Sequence, residues 1–196
     1  MTTRTRLIYS KRKGACFVPH IALAQMFSRS ASRAGLTLTM TQGFSPRPKI
    51  SFAPELPAGV VALNEPVDMY FESVPENIAH LMNDALPEGF TVTRAEVIPE
   101  NSPSLGKVCK SAEYLIRSVK GLNLLDDIKN FWGVSVLSAK ISDGWLRVIV
   151  ADPAQNPIGG LIRGLVGNGV VNGWHEVNIV RASIGLYDSE TESVKL

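Results

Sequence analysis

Acidic residues are missing from the first 54 positions; the first is Glu55. Over that stretch nine cationic side chains (Arg4, Arg6, Lys11, Arg12, Lys13, Arg29, Arg33, Arg47 and Lys49) meet no carboxylate, while the rest of the chain holds eleven Lys and Arg against eighteen Asp and Glu. A formal net charge of +2 conceals the split. Such a lopsided field points to an anionic partner, nucleic acid above all. The alternative is a solvated surface whose cations balance acids elsewhere in the fold.

Cysteine is equally scarce. Cys16 and Cys109 are too few and too far apart for a disulfide framework or a zinc knuckle, so no metal site is expected. No Cys-x3-Cys-x2-Cys run is present to hold an iron–sulfur cluster, so any radical chemistry belongs to a partner, and the chain is expected to carry no cofactor of its own. Both thiols read as small buried hydrophobes. No stretch approaches the ~18 consecutive apolar residues of a membrane span, and no secretory apolar run follows the basic start. A cytoplasmic protein with no membrane partner is expected. The glycine-rich stretch 156–174 lacks both the Gly-Lys-Ser/Thr ending of a Walker loop and the spacing of a dinucleotide fingerprint, and reads as a short helix with flexible ends.

What is present is ample: 45% of the residues are hydrophobic, enough for a packed core. Polar–apolar alternation over Thr5 to Tyr9 predicts a strand. Pro19 opens a helix over His20 to Ala34, stopped by Gly35. Strands follow at Leu36 to Met40 and Val67 to Ser73, then a helix from Pro75 to Leu86 and a strand from Phe90 to Ile98. This β-α-β-β-α-β order is the ferredoxin-like pattern. It starts again after a Pro/Ser/Asn-rich linker, with strand 111–119, helix 122–132, a hairpin 134–150, helix 157–166 and strand 176–186. The expectation is an α+β chain of two ferredoxin-like units in tandem, with antiparallel sheets and helices on one face. The first unit covers residues 1–98 with a long loop at 41–66, the linker 99–109, and the second unit 110–196.

The loop TQGFSPRPKISFAPELPAG, residues 41–59, carries the most chemistry. Gly43 lets the backbone turn, and Pro46 and Pro48 stiffen it on either side of Arg47. Taken alone, Phe44 and Phe52 each read first as core; taken as a unit, the loop reads as a binding element in which they offer faces to a base while Arg47 and Lys49 meet phosphates. Lys11, Arg12 and Lys13 form a basic turn, and Arg29 and Arg33 share a helix face four residues apart. Together with Phe44, Arg47 and Lys49 they are the expected RNA-contacting set. Glu65 and Asp68 are expected to structure the loop, by an ion pair with Arg47 or Lys49 or by backbone hydrogen bonds; the alternative is that they bind a polar substrate group. His20, at a helix start, is the candidate catalytic residue, with Tyr9, Lys11 or Lys49 as the nearest partners. A concave basic surface gathering Arg33, Arg47 and Lys49 near His20 is expected.

The segments RLIYSKRKG, IALAQMFSRSASRAGL, QGFSPRPKISFAPELPAGV and the Glu65–Asp68 stretch resemble the radical-SAM-linked bacterial domain of unknown function. The resemblance spans residues 4 to about 115 and is strongest over 43–59. It carries over His20, Phe27, Arg29, Arg33, Gly35, Gly43, Phe44, Pro46, Pro48, Lys49, Phe52, Gly59, Glu65 and Asp68. The chain departs where that family has His-Leu-Asp, having His20, Ile21 and Ala22, and it has Gln25 in place of the usual Arg. The resemblance implies a radical SAM partner and work on tRNA or rRNA, with the chain itself a non-catalytic accessory. A fainter likeness, in layout and in the early-helix His, is to the tandem ferredoxin-like endoribonucleases that process CRISPR RNA. It implies the alternative of an RNA-processing enzyme using His20. A third reading is a pure docking module for the radical SAM partner.

Overall fold

The computed structural model describes residues 2–196. In the first strand, β1 (Thr3–Lys11), Leu7 and Tyr9 join the core on one face while Arg4 and Arg6 lie on the other, the two-residue alternation of a pleated strand. Pro19, with no N–H to leave unsatisfied, leads into α1 (His20–Arg33). Leu23, Phe27 and Ala31, spaced by four, make its buried stripe. Gly35, at φ 72°, lets the chain leave the helix. The first half continues through β2 (Ile50–Phe52), β3 (Val61–Phe71), α2 (Ile78–Ala85) and β4 (Phe90–Val97). A short helical turn, α3 (Leu105–Val108), precedes β5 (Ser111–Ser118), α4 (Leu125–Trp132), β6 (Val136–Ser142), β7 (Trp145–Ala151), α5 (Ile158–Gly167), β8 (Val177–Asp188) and β9 (Ser193–Lys195).

Both halves lay out their strands alike: β4-β1-β3-β2 in the first and β8-β5-β7-β6 in the second. The fold is therefore the expected α+β arrangement of two ferredoxin-like units. Their sheets are fused. β3 pairs in parallel with β8 through Val61↔Val180 and Ala62↔Arg181, giving one continuous sheet ordered β4-β1-β3-β8-β5-β7-β6. Two apolar cores lie along it, one under α1 and α2 around Phe27, Met69 and Phe71, the other under α4 and α5 around Ile128, Val148 and Leu161. Ala53, Leu56, Val60 and Ala62 come from the first half yet pack into the second core. The chain segment 53–62 thus belongs to both halves. Among the described residues no helix is long and apolar enough to cross a membrane.

Two local expectations are corrected. The strand at Leu36 to Met40 is one edge strand in two pieces: Leu38 bridges Phe71, an excursion intervenes, and Ile50–Phe52 continues against Met69, Ser51 and Phe52 meeting Asp68 and Val67. The next strand starts at Val61 rather than Val67 and runs straight through Pro66. The proline is tolerated because the β3–β8 pairing covers only Val61 and Ala62, so no neighbour on that side asks for an N–H at position 66.

Candidate functional site

Where the two halves meet, Glu65 of β3 and Arg181 of β8 form a buried two-pronged ion pair: Arg181 Nε donates to Glu65 Oε1 at 2.7 Å and Nη2 to Oε2 at 2.5 Å. The same guanidinium donates to the carbonyls of Pro54 (3.1 Å) and Glu55 (3.4 Å), clamping the 53–59 turn onto the seam. Beside this pair lies a cavity of about 10 Å³ lined by Tyr9, Lys11, His20, Phe52, Glu65 and Arg181, among others. Lys11 ends β1 with its side chain turned inward, only 2% exposed, and its Nζ donates to the Val18 carbonyl at 3.3 Å. His20 is half-buried, with its ring edge-on to Phe52 at 5.5 Å between centroids.

Burial dominates the electrostatics here. It pushes the His20 imidazole below its ordinary value, with Glu55 opposing, so the ring is neutral at pH 7. It lowers the Lys11 ammonium as well, with Glu65 opposing. Tyr9 is raised by burial and by the Glu65 charge. Burial also works against the Arg181 charge, but Glu65 and the Tyr114 hydroxyl more than offset it, and the guanidinium stays firmly protonated.

The sequence-derived residues fall into separate places. His20, Lys11 and Tyr9 do meet, at the seam. Lys49 does not join them. Ile50 and Phe52 pack toward the helices, so Lys49 alternates to the opposite face of the sheet, where its Nζ sits 3.9 Å from the centre of the Tyr70 ring. The expected basic surface around His20 is therefore not what the fold builds. Lys11 is likewise buried and is removed from the exposed basic set. Glu65 and Asp68 do not pair with Arg47 or Lys49 either. Glu65 holds the 53–59 turn through Arg181, and Asp68, fully buried, accepts from Arg4 Nη2 (2.6 Å) and Arg6 Nε (2.7 Å). Neighbouring strands were closer than the loop.

Much of the N-terminal charge is thus used internally. Arg33 donates to the Ala85 carbonyl at the end of α2, a helix-terminating bond, and Lys13 pairs with exposed Glu88. Lys13 and Arg33 nonetheless stay exposed, as do Arg12, Arg29 and Arg47. Arg47 belongs to the excursion at 41–48, whose base is closed by Thr41 N–H to the Arg47 carbonyl (2.7 Å), Arg47 N–H to Thr41 Oγ1 (3.0 Å) and a Met40↔Pro48 bridge. At its tip Gly43 takes φ 132° and Phe44 is wholly exposed, touching no core. Phe52 divides the other way and packs beside His20 and Phe27.

The residue missed in the sequence is Arg181. Its signal was there: Val177, Ile179 and Arg181 alternate along one buried face of β8, and a charge at a buried position calls for a partner. Cys109 also senses this seam. Burial first, and Glu65 second, push its thiol up to about 12. At pH 8 only about one thiol in 10⁴ would be ionised, so alkylation of Cys109 is expected to follow unfolding, not simple encounter. Site-resolved mass spectrometry with and without urea checks this; fast native labelling would contradict it.

A family model described as an uncharacterised protein conserved in bacteria (DUF2344) matches residues 4–142. No curated protein matches the chain. Similar solved structures include the ligand-free regulatory subunit of aspartate kinase from Thermus thermophilus, 12% identical over 85% of this chain and 91% of that one, with a TM-score of 0.25. The first two RRM domains of the yeast poly(U)-binding protein are 12% identical over 90% and 99%, with a TM-score of 0.25. A microcompartment protein from Desulfitobacterium hafniense DCB is 10% identical over 92% and 95%, again with a TM-score of 0.25. At that score none of the three carries an argument about this chain.

Proposed function

The chain belongs to that bacterial family of uncharacterised conserved proteins, and from this premise we propose that it is an RNA-binding accessory to a radical SAM enzyme acting on tRNA or rRNA. One observation carries the RNA reading. A backbone-pinned loop holds a fully exposed Phe44 three residues from an exposed Arg47. An aromatic face with nothing to pack on, beside a guanidinium, suits a stacked base and its phosphate. The pinning matters because a preorganised loop loses little entropy on binding. The radical SAM partner rests on the sequence resemblance over 43–59, and the lack of cluster-ligating cysteines leaves such chemistry to that partner.

Fluorescence anisotropy against single-stranded RNA and tRNA tests the reading. Stacking contributes ~1–3 kcal/mol per base, so Phe44→Ala should weaken binding about 5- to 150-fold. Arg47→Glu should weaken it too and flatten the salt dependence by about one phosphate. Reversing Lys129 and Lys140 in the second half should change little. A loss from reversing Lys129 and Lys140 as large as that from Arg47→Glu, or no binding at low salt, would remove the proposal. The enzyme alternative has its own arm: RNA cleavage that His20→Ala abolishes, with binding intact, would replace the accessory role. Capture of a radical SAM protein that persists after complete RNA removal would favour direct docking.

A further inference from the structure

Gly159 and Gly160 stand together in the first turn of α5 although neither takes a positive φ, so the backbone there does not ask for glycine. Both weaken the helix they begin. What their missing side chains leave is floor space. A Cβ at Gly159 would stand 3.5 Å from the Pro57 ring, 3.6 Å from Arg163 Nη1 and 4.0 Å from the Trp174 indole. One at Gly160 would stand 3.9 Å from Arg163 Nη2. Above that floor lies a cleft of about 350 Å³, walled by Glu55 and Pro57 on one side and by Pro157, Arg163 and Trp174 on the other. Buried groups hold both walls. Arg181 clamps the 53–59 turn through the Pro54 and Glu55 carbonyls. Buried Glu176 accepts from the Asn172 backbone N–H (3.0 Å) and side-chain amide (2.9 Å), closing the turn that presents Trp174. Trp174 is nonetheless 40% exposed. Glu55 and Arg163 are exposed and oppositely charged, yet among the described residues neither has an ion-pair partner within 4.0 Å, not even the other.

We propose that this cleft binds a guanine nucleotide, with the base stacked on Trp174, its Watson–Crick edge on Glu55 and its phosphate on Arg163. An indole with a bare face suits a base, and an unpaired guanidinium suits a phosphate. Glu55 decides which base. A carboxylate only accepts, through two neighbouring oxygens. Among the standard RNA bases guanine alone sets two donors side by side on that edge, N1–H and N2–H. Adenine, cytosine and uracil each place an acceptor beside their donor, and a carboxylate repels it. The site asks nothing of the helix terminus, where the N–H groups of Gly160 and Leu161 already donate to the Pro157 carbonyl. It shares no residue with the 41–48 excursion, so it stands or falls apart from RNA binding through Phe44.

Two sources supply such a group: a free nucleotide, or a guanosine within an RNA strand. Tryptophan fluorescence of the full chain, titrated with GMP, IMP and AMP at matched ionic strength, tests the site. GMP should quench saturably and bind about 5- to 150-fold more tightly than AMP, the discrimination of one bidentate base contact. IMP, which lacks the 2-amino group, should fall between them. The quench should vanish in Trp174→Phe and persist in Trp145→Phe. Glu55→Gln should erase the preference for GMP, whereas Arg163→Gln should weaken all three nucleotides alike. Gly159→Ala separates binding from folding. Its methyl group meets its neighbours at ordinary contact distance, so the urea midpoint should not fall, yet the filled floor should weaken GMP several-fold. Phe44→Ala should leave the GMP titration unchanged. A guanine-containing oligonucleotide that displaces GMP better than its adenine counterpart identifies RNA as the source, and displacement by neither identifies the free nucleotide. No saturable quench by GMP, equal affinity for AMP, or a quench that survives Trp174→Phe overturns the site.

Discussion

Arg181→Met is expected to lower the stability of the folded chain by about 3–5 kcal/mol, because it strands the Glu65 carboxylate in the seam without its counter-charge. The loss should appear in urea melts as a lower midpoint. The turn at 53–59 should loosen as well, since the carbonyls of Pro54 and Glu55 lose their donor, and limited proteolysis there would report it. Pairing the change with Glu65→Leu separates the value of the ion pair from the penalty of breaking it. Buried pairs replaced on both sides by apolar groups are often neutral or more stable, so the double variant should recover most of the loss. A single-variant effect below about 1 kcal/mol would show that the seam does not depend on this pair.

Asp68→Ala should be comparably severe, at about 3–5 kcal/mol, for a related reason with the signs reversed. Here one fully buried carboxylate serves two guanidiniums, Arg4 and Arg6. Arg4 also donates to the carbonyls of Ser102 (2.6 Å) and Pro103 (3.0 Å), so Asp68 indirectly holds the linker against the first half. Amide exchange over residues 98–104 should accelerate in the variant more than exchange in α4 or α5. Uniform acceleration along the chain would mean general destabilisation and no special tie between Asp68 and the linker.

Periodicity revealed most of this architecture. Alternation at Leu7 and Tyr9, the four-residue stripe of Leu23, Phe27 and Ala31, and the repeated element order were enough to place two ferredoxin-like units. Pro66 concealed the true length of β3, because a proline in a central strand is compatible only with a gap in pairing that the sequence does not display. The ion pairs escaped for a different reason. Glu65 and Arg181 are 116 positions apart, and which cation meets which carboxylate depends on strand register between halves. Asp68 went to Arg4 and Arg6 since they stand on the neighbouring strand, Arg6 directly opposite. The charge-free-of-acid N-terminal stretch was legible as a pattern, but not how much of it would be consumed within the fold. Phe44 shows the converse: taken alone a phenylalanine reads first as core, and only the geometry of the excursion leaves it bare.

The shared segment 53–62 sets an order of events on the ribosome. Ala53, Leu56, Val60 and Ala62 bury themselves in a core whose helices and strands are encoded afterwards, and Glu65 waits for an arginine 116 residues downstream. At ~5–20 residues per second, that arginine is made about 6–23 s after Glu65. Once Phe90–Val97 has been made, a nascent first half can assemble β1, α1 and β4 around Phe27, yet until Arg181 follows its β3 edge stays open and a stripe of apolar side chains stays wet. Such a half-made chain is a natural client for a chaperone, and a translational pause placed within the linker would prolong its exposure.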